Sequence, residues 1–415
     1  MRKELNINHL TRVEGHGAVD IVIENSRLSE IRLRFTEGPR FFEFITRERL
    51  YTEIPKIVSR ICGICYVSHR LASVFAVEDA FGVKVNRGIE LLRSLLTVGE
   101  YLESHSLHLY FLALPDYMGY PSTLLMAKDY PNVVKRGFKL KEAGNRIMKL
   151  IGGKTVHGEN ILVGGFASIP SQEELKKVRR ELLKVIPEIE ATLFLFDGLD
   201  YPDFTSPHTL EMCLNSPSPC LFSSEVWLSD GTTFTKKEYE LFVREDVSPY
   251  STAKVSRVKG EPFLIGPLAR VNRLFKEEEL HPKVSEAVKR LKNTFPSKNS
   301  HLANLARAVE LLDAAYRGVE LIEELLSLYP FEPSVEVNPR AGTGFGVKEA
   351  PRGTLYHKYT FDSSGRCVGA NIITPTAQLQ SVIEEDLKAI VEESLEAEGE
   401  EIKKRAEVLV RAYDP

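Results

Sequence analysis

The chain has 415 residues, long enough to bury a large core and, by length alone, to form two or three domains. Its 54 basic and 58 acidic residues give a net charge of −4, which excludes a polyelectrolyte surface for nucleic acid. No apolar run approaches the ~20 residues of a membrane-spanning helix, so we expect neither nucleic acid nor a membrane as a partner.

Cysteine and amide usage indicates where the chain works. The five cysteines, an odd number, argue against a disulfide scaffold and favour a reducing compartment. Because the first residues also lack a signal-peptide pattern, we predict a cytoplasmic protein. Glutamine occurs only at Gln172, Gln378 and Gln380 beside 27% charged residues, a composition typical of thermophilic proteins.

The first predicted element is a small antiparallel sheet, because residues 5–36 alternate apolar and polar side chains. From Tyr66 the apolar period becomes helical and continues to Gly82, a residue suited to end a helix. Residues 88–113 then form a helix that is apolar on nearly every face, which is typical of a helix buried in a bundle.

Two more helices and a mixed region follow. Helices are predicted over residues 133–151 and from the capping pattern at Ser171 to about Phe196. Residues 205–270 contain a proline-rich stretch and a hairpin signal at Ser229-Asp230-Gly231. This composition predicts an α+β lobe that is loosely attached.

The C-terminal part predicts a long amphipathic helix at 297–328, a β segment at about 354–373 and a last helix reaching Val410. Together the elements predict an α+β, mainly helical fold, with a central bundle of long helices and small antiparallel sheets. We expect one fold over residues 1–415. Its parts are the N-terminal sheet and cysteine segment, the bundle, the lobe and the C-terminal region, at about 1–65, 66–200, 201–296 and 297–415.

The segment from Arg60 to His69 carries the strongest chemical signal. Cys62 and Cys65 can point both sulfurs at one ion, and Gly63 between them permits backbone conformations that other residues resist. Thiolates are soft donors that suit zinc, late first-row metals and iron–sulfur clusters. Because no second pair follows, the pair alone leaves three interpretations open: half of a structural zinc site, a redox disulfide, or a catalytic metal site.

Four further clusters interrupt the apolar patterns, and each alone is typical of a charged turn or an ordinary loop. They are Arg12-Val13-Glu14-Gly15-His16, Glu37-Gly38-Pro39-Arg40-Phe41-Phe42-Glu43, Glu349-Ala350-Pro351-Arg352-Gly353 and Thr374-Pro375-Thr376.

In order and spacing these segments resemble the large (alpha) subunit of the nickel–iron (NiFe) hydrogenases, over essentially the whole chain. The clusters around Glu14, Cys62 and Arg352 are similar to the N-terminal, first cysteine and arginine motifs of that family. The form of the Glu37–Glu43 segment, with Pro115-Asp116, resembles most the archaeal cytosolic sulfhydrogenases, which couple hydrogen to NAD(P)H or polysulfide.

The resemblance implies a centre of nickel and iron, with CO and cyanide on the iron. Cys65 would bridge the two metals, Cys62 would be a terminal nickel ligand, and His69 would donate a hydrogen bond to the bridging sulfur. Glu43 would be a ligand of a separate Mg²⁺ or similar hard cation.

The surroundings of the iron are implied in the same way. Arg352 and the Pro375-Thr376 segment, through the hydroxyl and backbone of Thr376, would donate hydrogen bonds to cyanide. Asp116 would pair with Arg352 and fix its orientation. Both charged residues could instead form ordinary structural ion pairs.

The implied activity is heterolytic cleavage and formation of H2, with Glu14 as the gateway for protons. This chain has no cysteine set for iron–sulfur clusters, so electrons would pass to a small subunit that carries them. Flavin- and NAD(P)-binding and iron–sulfur subunits would follow, and maturation chaperones would deliver nickel and the Fe(CN)2CO group.

The resemblance breaks at the C-terminus. The family continues after Asp-Pro with a second cysteine motif, Cys-x-x-Cys-x-x-His/Arg, whereas this sequence stops at Asp414-Pro415. We therefore expect an immature or truncated chain that holds an incomplete centre and is inactive alone. Two alternatives stay open: a non-catalytic scaffold like the complex I relatives, and a precursor bound by nickel-insertion factors.

Overall fold

The computed structural model of the protein describes residues 2–36, 38 and 40–415, so Glu37 and Pro39 of the predicted turn lie outside the described residues. The strands and helices of the first half are, in chain order, β1 Arg2–Ile7, β2 Gly17–Glu24, β3 Arg27–Phe35, α1 Arg40–Ile45, α2 Ile54–Val58, α3 Tyr66–Phe81, α4 Arg87–Leu107, α5 Leu114–Tyr117, α6 Thr123–Asp129, α7 Pro131–Gly152, β4 Ile161–Leu162, β5 Gly165–Phe166 and α8 Gln172–Asp197. Those of the second half are β6 Leu210–Leu214, β7 Glu225–Leu228, β8 Thr233–Thr235, α9 Tyr239–Phe242, β9 Val243–Val247, β10 Lys254–Val258, β11 Phe263–Leu264, α10 Pro267–Lys276, α11 Pro282–Val288, α12 Ala303–Leu328, β12 Gly342–Ala350, β13 Gly353–Phe361, β14 Cys367–Ile373, α13 Pro375–Glu393 and α14 Gly399–Tyr413.

The long helices α4, α7, α8 and α12 pack against one another as the central bundle, which confirms the predicted architecture. Helix α4 is buried along almost its whole length, and its buried ionisable residues have partners in the core, such as Arg93 with Glu78 and His105 with Glu310. None of the helices among the described residues is both long and apolar enough to cross a membrane.

The sequence predicts one regular helix to residue 113, but α4 ends at Leu107. A π-helical segment, His108–Ala113, joins it to α5. Pro115 has no N–H to offer the carbonyl of Phe111, and that carbonyl accepts a hydrogen bond from Thr123 Oγ1 at 3.1 Å instead.

Small sheets surround the bundle. The predicted N-terminal sheet has the antiparallel order β1-β2-β3, and β12-β13-β14 form a second antiparallel sheet. The third, β11-β6-β7-β8, departs from the predicted antiparallel pattern because β11 pairs with β6 in parallel. The C-terminal β segment also begins earlier than predicted, at Gly342, because glycines obscure the alternation of β12.

Helix α3 lies unusually close to β12. Two glycines of this strand, Gly344 and Gly346, face the helix, where an added Cβ would lie 2.0 Å from Ala76 O and 1.9 Å from Ala72 O. Helix α3 ends at Gly82, whose φ of +69° confirms the predicted helix end. Because Cys65 immediately precedes α3, this contact fixes the position of the cysteine segment.

We expect Gly346→Ala to destabilise the protein by about 1–3 kcal/mol or more, because the new methyl group can be accommodated only if the strand moves away from α3. The matched control is Gly369→Ala, where the nearest atom to the new Cβ would be 3.7 Å away. Denaturant unfolding of both variants measures the difference. Equal losses in the two would contradict the steric explanation.

The region predicted as a loosely attached lobe is in fact joined firmly to the core. Arg270 of α10 is buried and forms ion pairs with Glu310, at 2.5 Å, and Glu349, at 2.7 Å. The N–H of Leu214 donates to Glu349 Oε1 at 2.8 Å. The prediction was wrong because a turn-rich sequence does not reveal which of its charges find partners in the core.

The predicted last helix is two helices, α13 and α14, separated by residues 394–398. The acidic stretch that looked like a helix interior is the N-terminal turn of α14, with Glu400 and Glu401 in its first turn. Carboxylates are favoured there because they compensate the positive end of the helix dipole.

Buried histidines make the fold sensitive to acid. Burial lowers the pKa of His108 to about 3 and the pKa values of His105 and His301 to about 4. These rings stay neutral in the folded protein, whereas the unfolded chain takes up protons below pH 6.5. The contribution of these histidines to the free energy of unfolding is therefore fully present above pH 6.5, and it is lost as the pH falls from 6.5 towards 4.

We expect His301→Asn, which keeps a neutral acceptor for the Tyr117 hydroxyl, to flatten this dependence. Between pH 6.5 and 4.5 the variant should lose ~1–2 kcal/mol less free energy of unfolding than the wild type. Chemical denaturation at several pH values measures the slopes. Between pH 7.5 and 8.5 the free energies of unfolding of the two proteins should change with pH by the same amount. The same slope for both proteins below pH 6.5 would show that His301 does not cause the acid sensitivity.

Candidate metal centre

A cavity of about 160 Å³ collects residues from both ends of the chain. Its lining includes members of all five segments singled out from the sequence. The residues are Glu14, Gly15, His16, Phe35, Gly38, Phe42, Ile61, Cys62, Cys65, His69, Ala253, Ala350, Arg352, Thr374, Pro375, Thr376 and Pro415. The structure therefore brings together most of the predicted site in one place.

The cysteine pair lies where a short 3-10 turn, Ser59–Ile61, gives way to α3. Cys62 and Cys65 form a disulfide, and the Cys65 N–H donates to Cys62 Sγ at 2.9 Å. Of the three interpretations left open, the zinc site loses support, because the remaining cysteines, Cys213, Cys220 and Cys367, are buried elsewhere as free thiols. A disulfide and a metal site both remain, since reduction would convert one into the other.

Glu14 connects the sulfurs to a guanidinium. Its Oε1 and Oε2 lie 3.4 and 3.3 Å from Cys62 Sγ, and Oε1 accepts a hydrogen bond from the Ile64 N–H at 3.4 Å. Its Oε2 lies 3.5 Å from Arg352 Nη1. Among the described residues, Glu14, Cys62 and Cys65 form a group whose donor atoms lie within 4.8 Å of one another, close enough to hold a metal ion.

Arg352 is buried and offers hydrogen bonds to the cavity. Its Nη2 pairs with Asp414 at 3.0 Å, whereas its Nε and Nη1 find no hydrogen-bond acceptor within the part of the chain that the structure describes. Buried donors of this kind are costly unless a ligand or water accepts from them. The cavity is therefore suited to an anionic or dipolar ligand beside the sulfurs.

The predicted pairing of Asp116 with Arg352 was wrong. Asp116 contacts Arg12 and pairs with Arg411 at 2.8 Å, and Asp414 takes the place beside Arg352. The sequence predicted that a carboxylate pairs with Arg352, but several aspartates and arginines were available and their pairing could not be predicted. Asp414 was missed, although its position three residues after a conspicuous arginine, Arg411, was a usable signal.

His69 lines the cavity, and its Nδ1 lies 3.3 Å from Nε2 of His357 on β13. Burial lowers the pKa of His69 to about 3, so its ring is neutral. The hydrogen bond from His69 to the Cys65 sulfur stays a prediction. His357 was missed, although the alternation of β13 places it on the buried face with Leu355 and Tyr359.

The Thr374-Pro375-Thr376 segment lies where β14 ends and α13 begins. Thr374 caps the helix, with its side chain accepting from the Ala377 N–H at 3.4 Å. Thr376 is the second residue of α13, so its N–H has no partner within the helix and points out of the helix end. Together with Arg352, this helix end adds donors to the cavity.

Glu43 lies on α1, away from the sulfurs. Its Oε1 is 3.1 Å from Lys254 Nζ and accepts a hydrogen bond from the Ile372 N–H at 2.8 Å. The structure thus places Glu43 in a cluster with an ammonium group that the sequence did not predict.

The C-terminal residues close one wall of the cavity. Arg307 of α12 donates to the carbonyls of Ala412 and Tyr413, at 2.7 Å each, and Arg411 donates to the carbonyl of Thr11 at 2.9 Å. Residues 411–415 are buried, and Pro415 lines the cavity. The donor set as a whole, soft sulfurs with a carboxylate and unpartnered cationic donors, fits a late first-row metal that carries an anionic ligand.

Comparison with known proteins agrees with this chemistry. The sequence profile of the family described as nickel-dependent hydrogenase matches residues 40–135 and 223–415. The alpha subunit of sulfhydrogenase 2 from Pyrococcus furiosus is 39% identical over 99% of this chain and 97% of its own length. The alpha subunit of sulfhydrogenase 1 from the same organism is 36% identical over 99% of this chain and 96% of its own length.

A solved structure supports the same relationship. The structure of an NAD+-reducing NiFe hydrogenase in the H2-reduced state is similar with a TM-score of 0.86 and 27% identity. The similarity covers 100% of this chain and 98% of that chain.

Proposed function

The chain belongs to the nickel-dependent hydrogenases and is the catalytic subunit of a NiFe hydrogenase, and on this premise we propose that it cleaves and forms H2 heterolytically at the cavity of Cys62 and Cys65. The convergence of two sulfurs, the Glu14 carboxylate and the Arg352 guanidinium on one cavity carries the proposal. When bound, a Ni–Fe centre supplies the Lewis acidity that polarises H2.

Cys62 and Cys65 would hold this centre as thiolates. Their disulfide must be reduced first, because the thiolate and not the disulfide is the metal-binding form. We include in the proposal that maturation factors deliver nickel and the iron group to the reduced pair. The alternative of a non-catalytic scaffold loses its basis, because a scaffold does not require Cys62, Cys65 and Glu14 to converge.

Glu14 moves the proton. Its carboxylate lies within 3.4 Å of Cys62 Sγ, which is near enough to accept a proton that this sulfur has taken up, once the disulfide is reduced. Arg352, 3.5 Å away, orients the carboxylate and supplies positive charge beside it. Glu14 thus links the buried sulfur to the outer part of the cavity.

Arg352 and Thr376 would hold the diatomic ligands of the iron by hydrogen bonds. Cyanide on iron is a hydrogen-bond acceptor, and Arg352, which lines this cavity, has an Nε and an Nη1 that make no hydrogen bond within the described residues. The N–H of Thr376 at the start of α13 adds a further donor. These residues would therefore orient the iron group.

Electrons leave through partner subunits in a cytosolic complex. Phe41 and Phe44, 64% and 69% exposed, lie on α1 beside the cavity residue Phe42 and offer an apolar surface to a small subunit with iron–sulfur clusters. We propose NAD(P)+ or sulfur/polysulfide as the final acceptor, and two of the similar proteins are named sulfhydrogenases and another an NAD+-reducing hydrogenase.

The test is exchange of D2 with water, measured by mass spectrometry on the purified protein together with its small subunit, with nickel quantified in the same samples. We expect exchange in proportion to nickel content, and none in a matched preparation grown without nickel. Stoichiometric nickel and iron without exchange would overturn the proposal.

A further inference from the structure

A cluster of two carboxylates lies beside the cavity wall. Glu43 of α1 and Glu245 of β9 face each other across Lys254 of β10, whose Nζ is 3.1 Å from Glu43 Oε1 and 2.8 Å from Glu245 Oε2. The three side chains are between 11% and 17% exposed, so water reaches them only in part.

The amide of Asn371 completes the cluster. Its Nδ2 donates to the same two oxygens, at 3.4 Å to Glu43 Oε1 and 3.1 Å to Glu245 Oε2. Its Oδ1 accepts from the Tyr239 hydroxyl at 2.5 Å, which fixes the orientation of the amide with its NH2 group towards the carboxylates. The backbone N–H of Ile372 adds a third donor to Glu43 Oε1, at 2.8 Å.

These contacts do not fit a divalent cation at Glu43. A hard cation needs several oxygen ligands with free lone pairs, whereas Glu43 Oε1 already accepts from three donors, so that only the Oε2 of this carboxylate is left for a cation. The only amide in the cluster turns its donor side inward, and an ammonium group occupies the space between the two carboxylates. A Mg²⁺ ion there would have to displace Lys254 and rotate Asn371.

We propose that the ammonium group of Lys254 is the built-in cation of this site and replaces the Mg²⁺ that the family resemblance implies. The cluster ties α1, β9, β10 and β14 together, and Asn371 and Ile372 lie just before the cavity residues Thr374 and Thr376. Lys254 thereby positions one wall of the cavity without a metal ion. The inference concerns this wall and holds whatever reaction the cavity serves.

The test is Mn²⁺ binding, measured by electron paramagnetic resonance on the purified protein, with thermal unfolding recorded with and without Mn²⁺. The wild type should bind no Mn²⁺ that depends on Glu43, and Mn²⁺ should not shift its unfolding temperature. Lys254→Met keeps the unbranched stem of the side chain but removes the ammonium group, which leaves two carboxylates without their cation. It should gain a Mn²⁺ site at least about tenfold tighter than any in the wild type, and Mn²⁺ should raise its unfolding temperature.

Three variants make the result specific. Adding Glu43→Gln to Lys254→Met should abolish the gained site, and Lys254→Arg, which keeps a cation, should not acquire one. The matched control is Lys358→Met, because Lys358 pairs with the single carboxylate of Glu240 and its loss should create no Mn²⁺ site. Stoichiometric Mn²⁺ or Mg²⁺ on the wild type that disappears in Glu43→Gln would overturn the proposal.

Discussion

Cys65→Ser is expected to abolish hydrogen activation and to lower nickel content by more than about 100-fold, because even changes beside a metal ligand cost 10–100-fold in affinity or activity. The serine hydroxyl has the same position as the thiol but is a hard donor that does not ionise at neutral pH, so it cannot replace a thiolate. Nickel per chain, measured by plasma mass spectrometry, and D2 exchange test this together.

The matched control for that experiment is Cys367→Ser. Cys367 is also buried, but its Sγ donates to the carbonyl of Gly369 at 3.2 Å, a bond that a serine hydroxyl can reproduce. The control should keep both nickel and activity. Full nickel content in Cys65→Ser would remove Cys65 from the ligand set and with it the proposed centre.

Glu14→Gln separates proton transfer from metal binding. The amide keeps the volume of the carboxylate and can still accept from the Ile64 N–H, but it cannot carry a proton away from Cys62. We expect nickel content to be unchanged and D2 exchange with water to fall by about 10²–10⁴, the range for loss of a general acid–base group. Glu14→Asp should recover part of the rate, since it restores a carboxylate at a longer distance.

Two measurements distinguish this role from a structural one. The unfolding temperature of Glu14→Gln should stay near that of the wild type, because Arg352 retains its buried pair with Asp414. If nickel is lost together with exchange, Glu14 is a ligand or a structural residue, and the proton route must lie elsewhere.

The sequence predicted those features that depend on local pattern. The end of α3 at Gly82 and the capping box at Ser171 follow from the local conformational preferences of single residues, and both are confirmed. The proximity of Glu14, Cys62 and Arg352 was predicted from motif spacing and family resemblance. Local pattern alone does not indicate that positions so distant in sequence lie together.

What the sequence could not supply are choices among chemically equivalent partners. Asp116 was expected to pair with Arg352 but contacts Arg12 and Arg411, and this choice depends on how the segment of Arg12 and helix α14 pack beside α5. Lys254 is one of many lysines, and its place between two carboxylates follows from the pairing of β9 with β10 and the packing of both near α1. Ion-pair partners of this kind are decided by tertiary packing, which local pattern does not encode.

The docking of the last residues against Arg307 and Thr11 has a consequence for the order of events during synthesis. The ribosome makes Cys62 long before Pro415, and at the usual speed of 5–20 residues per second the interval is roughly 20–70 s. Throughout that time the two thiols exist on a chain whose cavity lacks a wall. This wall forms only when α14 docks and its carbonyls accept hydrogen bonds from Arg307. The newborn polypeptide therefore exposes its sulfurs to the surroundings until residues 411–415 have docked.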